Sequence, residues 1–354
     1  MDCETKIWLM VLFFFSAIYK QQCALGEPQV PCLFIFGDSL SDSGNNNKLS
    51  TDAKVNYLPY GIDFPDGPTG RFTNGRTSVD IITQLLGLDD FIPPFANSSS
   101  SDIVRGVNYA SGAAGIRNET GTHLGEDVSM ELQLQNHKVI ISQIAKKLGS
   151  SEQAQPHLNK CLYYVNIGSN DYLNNYFLPE HYPSSRMYSP DQYAGALVQQ
   201  YSMHLKDLYL LGARKFALIG LSLLGCVPHE IVVHGKNGSI CVDEESKAAL
   251  IFNDKLKTLV DRFNNELSDA KFIFINSAVI TDTNLLPDAF ICCKVGSNGQ
   301  CTPNQEPCKN RNLHPFFDEF HPTEIVNQVT ARSAYNAPIP DYAHPMDISH
   351  LVKL

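Results

Sequence analysis

Five short apolar runs punctuate the chain: Pro31–Gly37 (PCLFIFG), Val104–Ala110, Cys161–Gly168 (CLYYVNIG), Lys215–Gly220 and Lys271–Asn276 (KFIFIN). Each is near-continuously apolar at its centre instead of alternating, which is the pattern of strands covered on both faces. Between them the apolar spacing lengthens to that of helices. Ile81, Ile82, Leu85 and Leu86 form one stripe closed by Gly87, and Ile141, Ile144, Ala145 and Leu148 form another. Ser189-Pro190-Asp191-Gln192 reads as a capping box with proline at the first helical position, and Gly212 ends that helix. Phe252, Leu256, Leu259, Val260, Phe263 and Leu267 follow the spacing of a core-facing helix, and a final helix is expected to start at Pro322. Strand alternating with helix five times predicts an α/β fold, a parallel sheet with helices on both faces. Ligands of such sheets bind beyond the carboxyl ends of the strands. Segments 88–102, 174–190 and 284–314, rich in Pro, Ser, Asn or Cys, are expected to be long loops. No repeat or long linker divides the chain, so residues 27–354 are expected to form a single domain.

The apolar run Ile7–Tyr19 is 13 residues long, too short to span a bilayer and the right length for the core of a secretory leader. Small residues, Ala24 and Gly26, come after it. Residues 1–26 are therefore expected to be a cleaved signal peptide, and the mature protein to be secreted without a transmembrane anchor. Of the ten cysteines, Cys3 and Cys23 leave with the leader. The remaining even set (Cys32, Cys161, Cys226, Cys241, Cys292, Cys293, Cys301 and Cys308) reads as disulfides in a secreted chain. The adjacent pair Cys292–Cys293 lacks the spacing of a zinc cluster. Asn97, Asn118 and Asn237 open N-x-S/T acceptors for glycosylation.

Hydrophobic residues make up 43% and charged residues 18%, which sets long-range disorder aside. A formal net charge of -10 argues against a nucleic-acid partner, which needs a basic face, and against docking on anionic lipid surfaces.

Three groups of chemically capable residues fall just past strand ends or near the C-terminus. The first strand runs into Gly37-Asp38-Ser39-Leu40, which places Ser39 at a strand-to-helix corner. Gly37 lets the backbone turn there with no Cβ in the way. The third run ends in Gly168-Ser169-Asn170-Asp171, which puts Asn170 at the same edge. Asp318-Glu319-Phe320-His321-Pro322 holds His321 in a loop before a helix, and the spacing of three lets Asp318 face it. A serine hydroxyl needs a base to become a nucleophile, an imidazole is such a base near neutral pH, and a carboxylate fixes its tautomer. Ser39 N–H, the Asn170 amide and a backbone donor from Ser111-Gly112-Ala113-Ala114-Gly115 supply candidate oxyanion contacts. His229 and His234 are five apart, roughly 140° around a helix, and do not chelate from one face as an i, i+4 pair does. No G-x-S-x-G elbow is present, which argues against an α/β-hydrolase.

Phe36-Gly37-Asp38-Ser39-Leu40 with Asp42 and Gly44-Asn45-Asn46-Asn47 resembles the first block of the secreted, plant-type GDSL esterase/lipases, members of the SGNH hydrolases. Asn108-Tyr109-Ala110-Ser111-Gly112-Ala113-Ala114-Gly115 is similar to the second block, Gly168-Ser169-Asn170-Asp171 to the third, and Asp318 with His321-Pro322 to the fifth. The resemblance covers about residues 31 to 336. It implies a flavodoxin-like three-layer α/β/α fold with a five-stranded parallel sheet in the order 2-1-3-4-5. It also implies Ser39 as nucleophile, His321 as general base and Asp318 as its orienter. Asn170 and a backbone N–H of Ala113 or Gly115 would form the oxyanion hole, and neither cofactor nor metal is required. In that strand order Cys32 and Cys161 open neighbouring strands and are expected to pair at the end of the sheet opposite the site. Cys226–Cys241 would close a loop, and Cys292 and Cys293 would pair with Cys301 and Cys308 in either order. The function expected is a secreted serine esterase or lipase acting on small-molecule or lipid esters. An acyltransferase using the same acyl-enzyme and a catalytically silent secreted binding protein are the alternatives.

Overall fold

A computed structural model describes residues 27–100, 102–236, 238–281 and 291–354. The expected leader (1–26), Asn237 and residues 284–290 of the third expected loop lie outside them. Four of the five apolar runs form parallel strands of one sheet: β1 (Leu33–Gly37), β2 (Leu162–Asn166), β3 (Lys215–Ile219) and β4 (Lys271–Ile275). They lie side by side in that order, with Leu33 opposite Leu162 and Lys215 opposite Lys271.

The run Val104–Ala110 departs from expectation. Its start is a helical turn at Ile103–Arg105, and Gly106 at φ 126° redirects the chain. Val107, Asn108 and Tyr109 then lie along the outer edge of β1, where Tyr109 N–H donates to Ile35 O at 2.8 Å and Ile35 N–H donates to Val107 O at 3.1 Å. The segment therefore occupies the edge position of the 2-1-3-4-5 order, but as an isolated bridge at Asn108 and not as a strand. The fifth strand of the sheet is instead β5 (Ala343–His344), two residues antiparallel to β4. The sheet is thus mostly parallel.

Among the described residues, seven helices of seven or more residues pack around it: α1 (Ser78–Leu85), α2 (Met130–Leu148), α3 (Ser151–Leu158), α4 (Pro190–Leu210), α5 (Pro228–His234), α6 (Asp243–Glu266) and α7 (Glu324–Tyr335). Thr77 caps α1 and Ser189 caps α4, each through a complete capping box. The last helix begins two residues later than expected. Thr323 is extended (φ -71°, ψ 164°) and serves as the N-cap, while Pro322 O accepts from Thr73 Oγ1 at 2.9 Å.

Alternate residues of each strand enter two separate cores, which is why the runs read as continuously apolar. Phe34, Phe36, Tyr163, Phe216 and Phe272 face α2, α4 and α6. Leu33, Ile35, Tyr164, Ile219 and Ile273 face α1 and α7. Each such side chain, fully buried, contributes about 1.5–3 kcal/mol of transfer free energy.

Among the described residues, four disulfides complete the frame. Cys32–Cys161 joins the residues just before β1 and β2, at the opposite end of the sheet from Ser39. Cys226–Cys241 closes the loop around α5, and the pairing left open resolves as Cys292–Cys308 and Cys293–Cys301. Among the described residues, no helix is long and apolar enough to cross a membrane.

Candidate active site

The carboxyl end of β1 is fixed before Ser39 is reached. Gln133 of α2, fully buried, accepts from Gly37 N–H at 2.9 Å and donates to Gly37 O at 2.8 Å. Gly37 is required for close approach, because a Cβ there would stand 2.5 Å from Asn166 O. Ser39 then sits in a single helical turn, not at the start of a long helix. Asp38 O accepts from Ser41 N–H at 3.1 Å and from Asp42 N–H at 3.0 Å. Asp42 anchors the next stretch of the first block, accepting from Gly44 N–H at 2.7 Å, Asn45 N–H at 2.8 Å and Gly112 N–H at 3.1 Å.

Ser39 and His321, 282 positions apart, meet. His321 Nε2 lies 2.9 Å from Ser39 Oγ. On its other side, Nδ1 lies 2.9 and 2.8 Å from the two oxygens of Asp318. Asp318 Oδ1 also accepts from Phe320 N–H at 2.8 Å and His321 N–H at 2.7 Å, so the three-residue spacing closes as a tight carboxylate-capped turn. Asp318 is wholly buried and His321 only 7% exposed. Phe72 lies against the imidazole with ring centroids 4.8 Å apart.

Tyr60 joins the site although nothing in the sequence marks it. Its hydroxyl donates to Asp318 Oδ2 at 2.5 Å and accepts from Cys301 N–H at 3.0 Å. Burial, with the Asp318 carboxylate beside it, holds the phenol well above its ordinary range, so it stays a donor. Gln133 is equally unmarked in the sequence. Neither position carries a local periodicity or motif that marks it.

Asn170 stands in the helical turn after β2. Its Nδ2 donates to Ala114 O at 3.0 Å and its Oδ1 accepts from Asn174 Nδ2 at 2.6 Å. An amide carries two N–H groups, so one of its two donors remains for a ligand. The neighbouring Asp171 holds the second block in place, accepting from Ile116 N–H at 2.7 Å, Arg117 N–H at 3.0 Å and Thr120 Oγ1 at 2.8 Å. Of the two backbone donors left open, Ala113 lines the cavity at φ 68°, a left-handed conformation unusual for a residue with a side chain. Gly115 packs behind it, where a Cβ would stand 2.5 Å from Thr120 and 2.7 Å from Asp171.

Ser39, His321, Asn170 and Ala113 share one cavity of about 410 Å³. Leu173, Phe177, Leu178, Leu223 and Val227 give it an apolar wall. Asp38 borders it too. Its Oδ1 accepts from Leu40 N–H at 3.0 Å, whereas Oδ2 is buried and has no hydrogen-bond partner among the described residues, and burial pushes the carboxyl up to about 7. An imidazole between a buried carboxylate and a serine hydroxyl can take up the serine proton while its charged form is stabilised. Asn97 and Asn118 are both exposed on the surface, and Asn118 contacts Glu131 and Ser129.

Comparison with known proteins gives the same family as the sequence blocks. The family model for GDSL-like lipase/acylhydrolases matches residues 33–333. GDSL esterase/lipase At1g29670 of Arabidopsis thaliana is 48% identical, with all of both chains covered. GDSL esterase/lipase At4g18970 of the same plant is 47% identical over 94% of this chain and 95% of its own. The chain belongs to the GDSL-like lipase/acylhydrolase family, and it is a carboxylic ester hydrolase.

Proposed function

We propose that this esterase works through an acyl-enzyme formed on Ser39. The observation that carries the reading is the continuous chain of contacts Ser39–His321–Asp318–Tyr60. His321 Nε2 removes the hydroxyl proton as Ser39 Oγ attacks the ester carbonyl, and the same nitrogen then protonates the leaving alkoxide. Water, activated by His321 in turn, attacks the acyl carbonyl and releases the acid. Asp318 holds the imidazole with Nδ1 protonated and stabilises its charged form.

The developing oxyanion is met by three donors in this account. They are Ser39 N–H at the head of its turn, where the first amides have no partner within the turn, the second N–H of Asn170, and Ala113 N–H. Ala113 is the choice over Gly115 because it borders the cavity. Its left-handed backbone is the kind of local strain that clusters at reactive sites.

The apolar wall supports an acyl ester with a hydrocarbon chain, hence a lipid-type substrate. The disulfide frame and the apolar leader-like run support a protein cleaved near residue 26, secreted and glycosylated at Asn97, Asn118 and Asn237. The test is a panel of aryl esters of increasing acyl length offered to the purified protein and to Ser39→Ala. Turnover should fall by several powers of ten in the variant, and equal turnover by both would reject Ser39 as the nucleophile.

A further inference from the structure

Outside the contacts of Ser39, His321 and Asp318, α5 and the first turn of α6 gather three ligating side chains. Glu230 and His234 are one helical turn apart on α5, on one face, and Glu245 reaches them from α6. His234 Nδ1 lies 3.0 Å from Glu230 Oε2 and 2.7 Å from Glu245 Oε1. One donor atom from each residue lies within 4.8 Å of the other two. The His-to-His spacing set aside in the sequence thus conceals a Glu-to-His pair with the correct spacing. His229 turns elsewhere, to Glu319 Oε2 at 3.0 Å.

Burial separates this cluster from an ordinary acidic patch. Glu230 and Glu245 are each only 3% exposed. Glu245 Oε2 is buried and has no hydrogen-bond partner among the described residues. The ion pairs these two carboxylates make among the described residues are with His234 alone. One imidazolium cannot neutralise two ionised carboxylates removed from water, so the pair must take up either a proton or a second positive charge. The start of α6 favours a carboxylate at Glu245 but supplies only a fraction of a charge.

We propose that Glu230, His234 and Glu245 bind one divalent transition-metal ion. Zinc is the best fit to one imidazole nitrogen and two carboxylate oxygens. In a tetrahedral zinc site with bonds of about 2.0–2.2 Å, neighbouring ligand atoms stand roughly 3.3–3.6 Å apart. The two distances from His234 Nδ1, 3.0 and 2.7 Å, are shorter than that by about 0.3 to 0.9 Å, so side-chain rotations must open the site before it takes an ion. Cys226–Cys241 braces the loop between the two helices that carry it. His234 is exposed, which gives the ion a path in and room for a water ligand. Glu230 and His234 also line the cavity that holds Ser39, so the ion would border that cavity.

The test uses the purified full-length protein, freed of metal by a chelator and titrated with Co²⁺ and then Zn²⁺. The expected result is one saturable equivalent of Co²⁺ with a visible absorption band, displaced by Zn²⁺, and a higher melting temperature with Zn²⁺ present. His234→Ala, a change at an exposed position, should weaken binding at least tenfold and remove the band. Glu245→Gln should do the same while circular dichroism shows an intact fold. Ser39→Ala should bind as the parent does, which separates this site from the esterase reading. Absence of saturable binding, or equal binding by His234→Ala, would overturn the proposal and leave a carboxyl pair sharing a proton beside His234.

Discussion

Tyr60 and Asp318 are joined by a 2.5 Å hydrogen bond across 258 residues of chain. The same phenol oxygen accepts from Cys301 N–H, and Cys301 is tied to Cys293, so a disulfide-braced loop sets the phenol and the phenol sets the carboxylate. The carboxylate in turn sets His321.

Tyr60→Phe keeps the ring, which packs edge-on against Phe317 with centroids 5.5 Å apart. It removes the donor to Asp318 and the acceptor for Cys301 N–H. Buried hydrogen bonds to charged groups contribute about 1.5–3 kcal/mol, so the melting temperature should fall. The hydroxyl acts on the site through Asp318, as a positioning group, so kcat should drop about tenfold or more while KM stays close to the parent value. Steady-state kinetics with one aryl ester checks the split. A change in KM alone would show that Tyr60 shapes binding instead.

Asn170→Ala should lower kcat about 10²- to 10³-fold, the usual cost of one oxyanion donor. Asn174→Ala removes the amide that donates to Asn170 Oδ1 at 2.6 Å and should cost far less, because the Asn170 N–H groups survive. Comparing kcat of the two variants distinguishes a donor to the transition state from a merely structural amide network.

Asp38 makes stability depend on pH. Burial raises its carboxyl to about 7, against 3.8 for the free group. Between those values the folded chain holds a proton that the unfolded chain has lost. Stability therefore falls as pH rises from about 4 to about 7, and is level above that. Asp42, buried as deeply but holding three backbone N–H groups, rises only to about 6. Asp38→Asn cannot ionise and should remove part of that slope. Its melting temperature should exceed the parent's by a few degrees at pH 7.5 and by less at pH 5, measured by calorimetry. An equal gain at both pH values would show that charge at Asp38 is not the cause.

Local patterns in the chain disclose the strands, the capped helices and the short blocks around Ser39, Asn170 and His321. β1 to β4 are legible because both faces are covered, and the start of α4 because Ser189 and Gln192 carry the required side chains at the required spacing. Val104–Ala110 misleads because its apolar composition suits an edge segment as well as a strand. Gly106 and the inward-turned Asn108, which donates to Ser41 O at 2.7 Å, interrupt the ladder. β5 is two residues long and has no run to reveal it. Tyr60 and Gln133 owe their roles to partners 258 and 96 positions away, and nothing in their own neighbourhoods signals those contacts. The backbone donor is undecidable between Ala113 and Gly115 in sequence, because the choice depends on which one faces the cavity.

The central claim is that His321 activates Ser39 and no other serine. An alkyl fluorophosphonate reacts with serines activated in this way, and peptide mapping by mass spectrometry locates the adduct. One adduct is predicted, on the peptide containing Ser39, absent from Ser39→Ala and formed at least about 10²-fold more slowly by His321→Ala. An adduct at another residue, or equal labelling rates with and without the imidazole, would contradict the account.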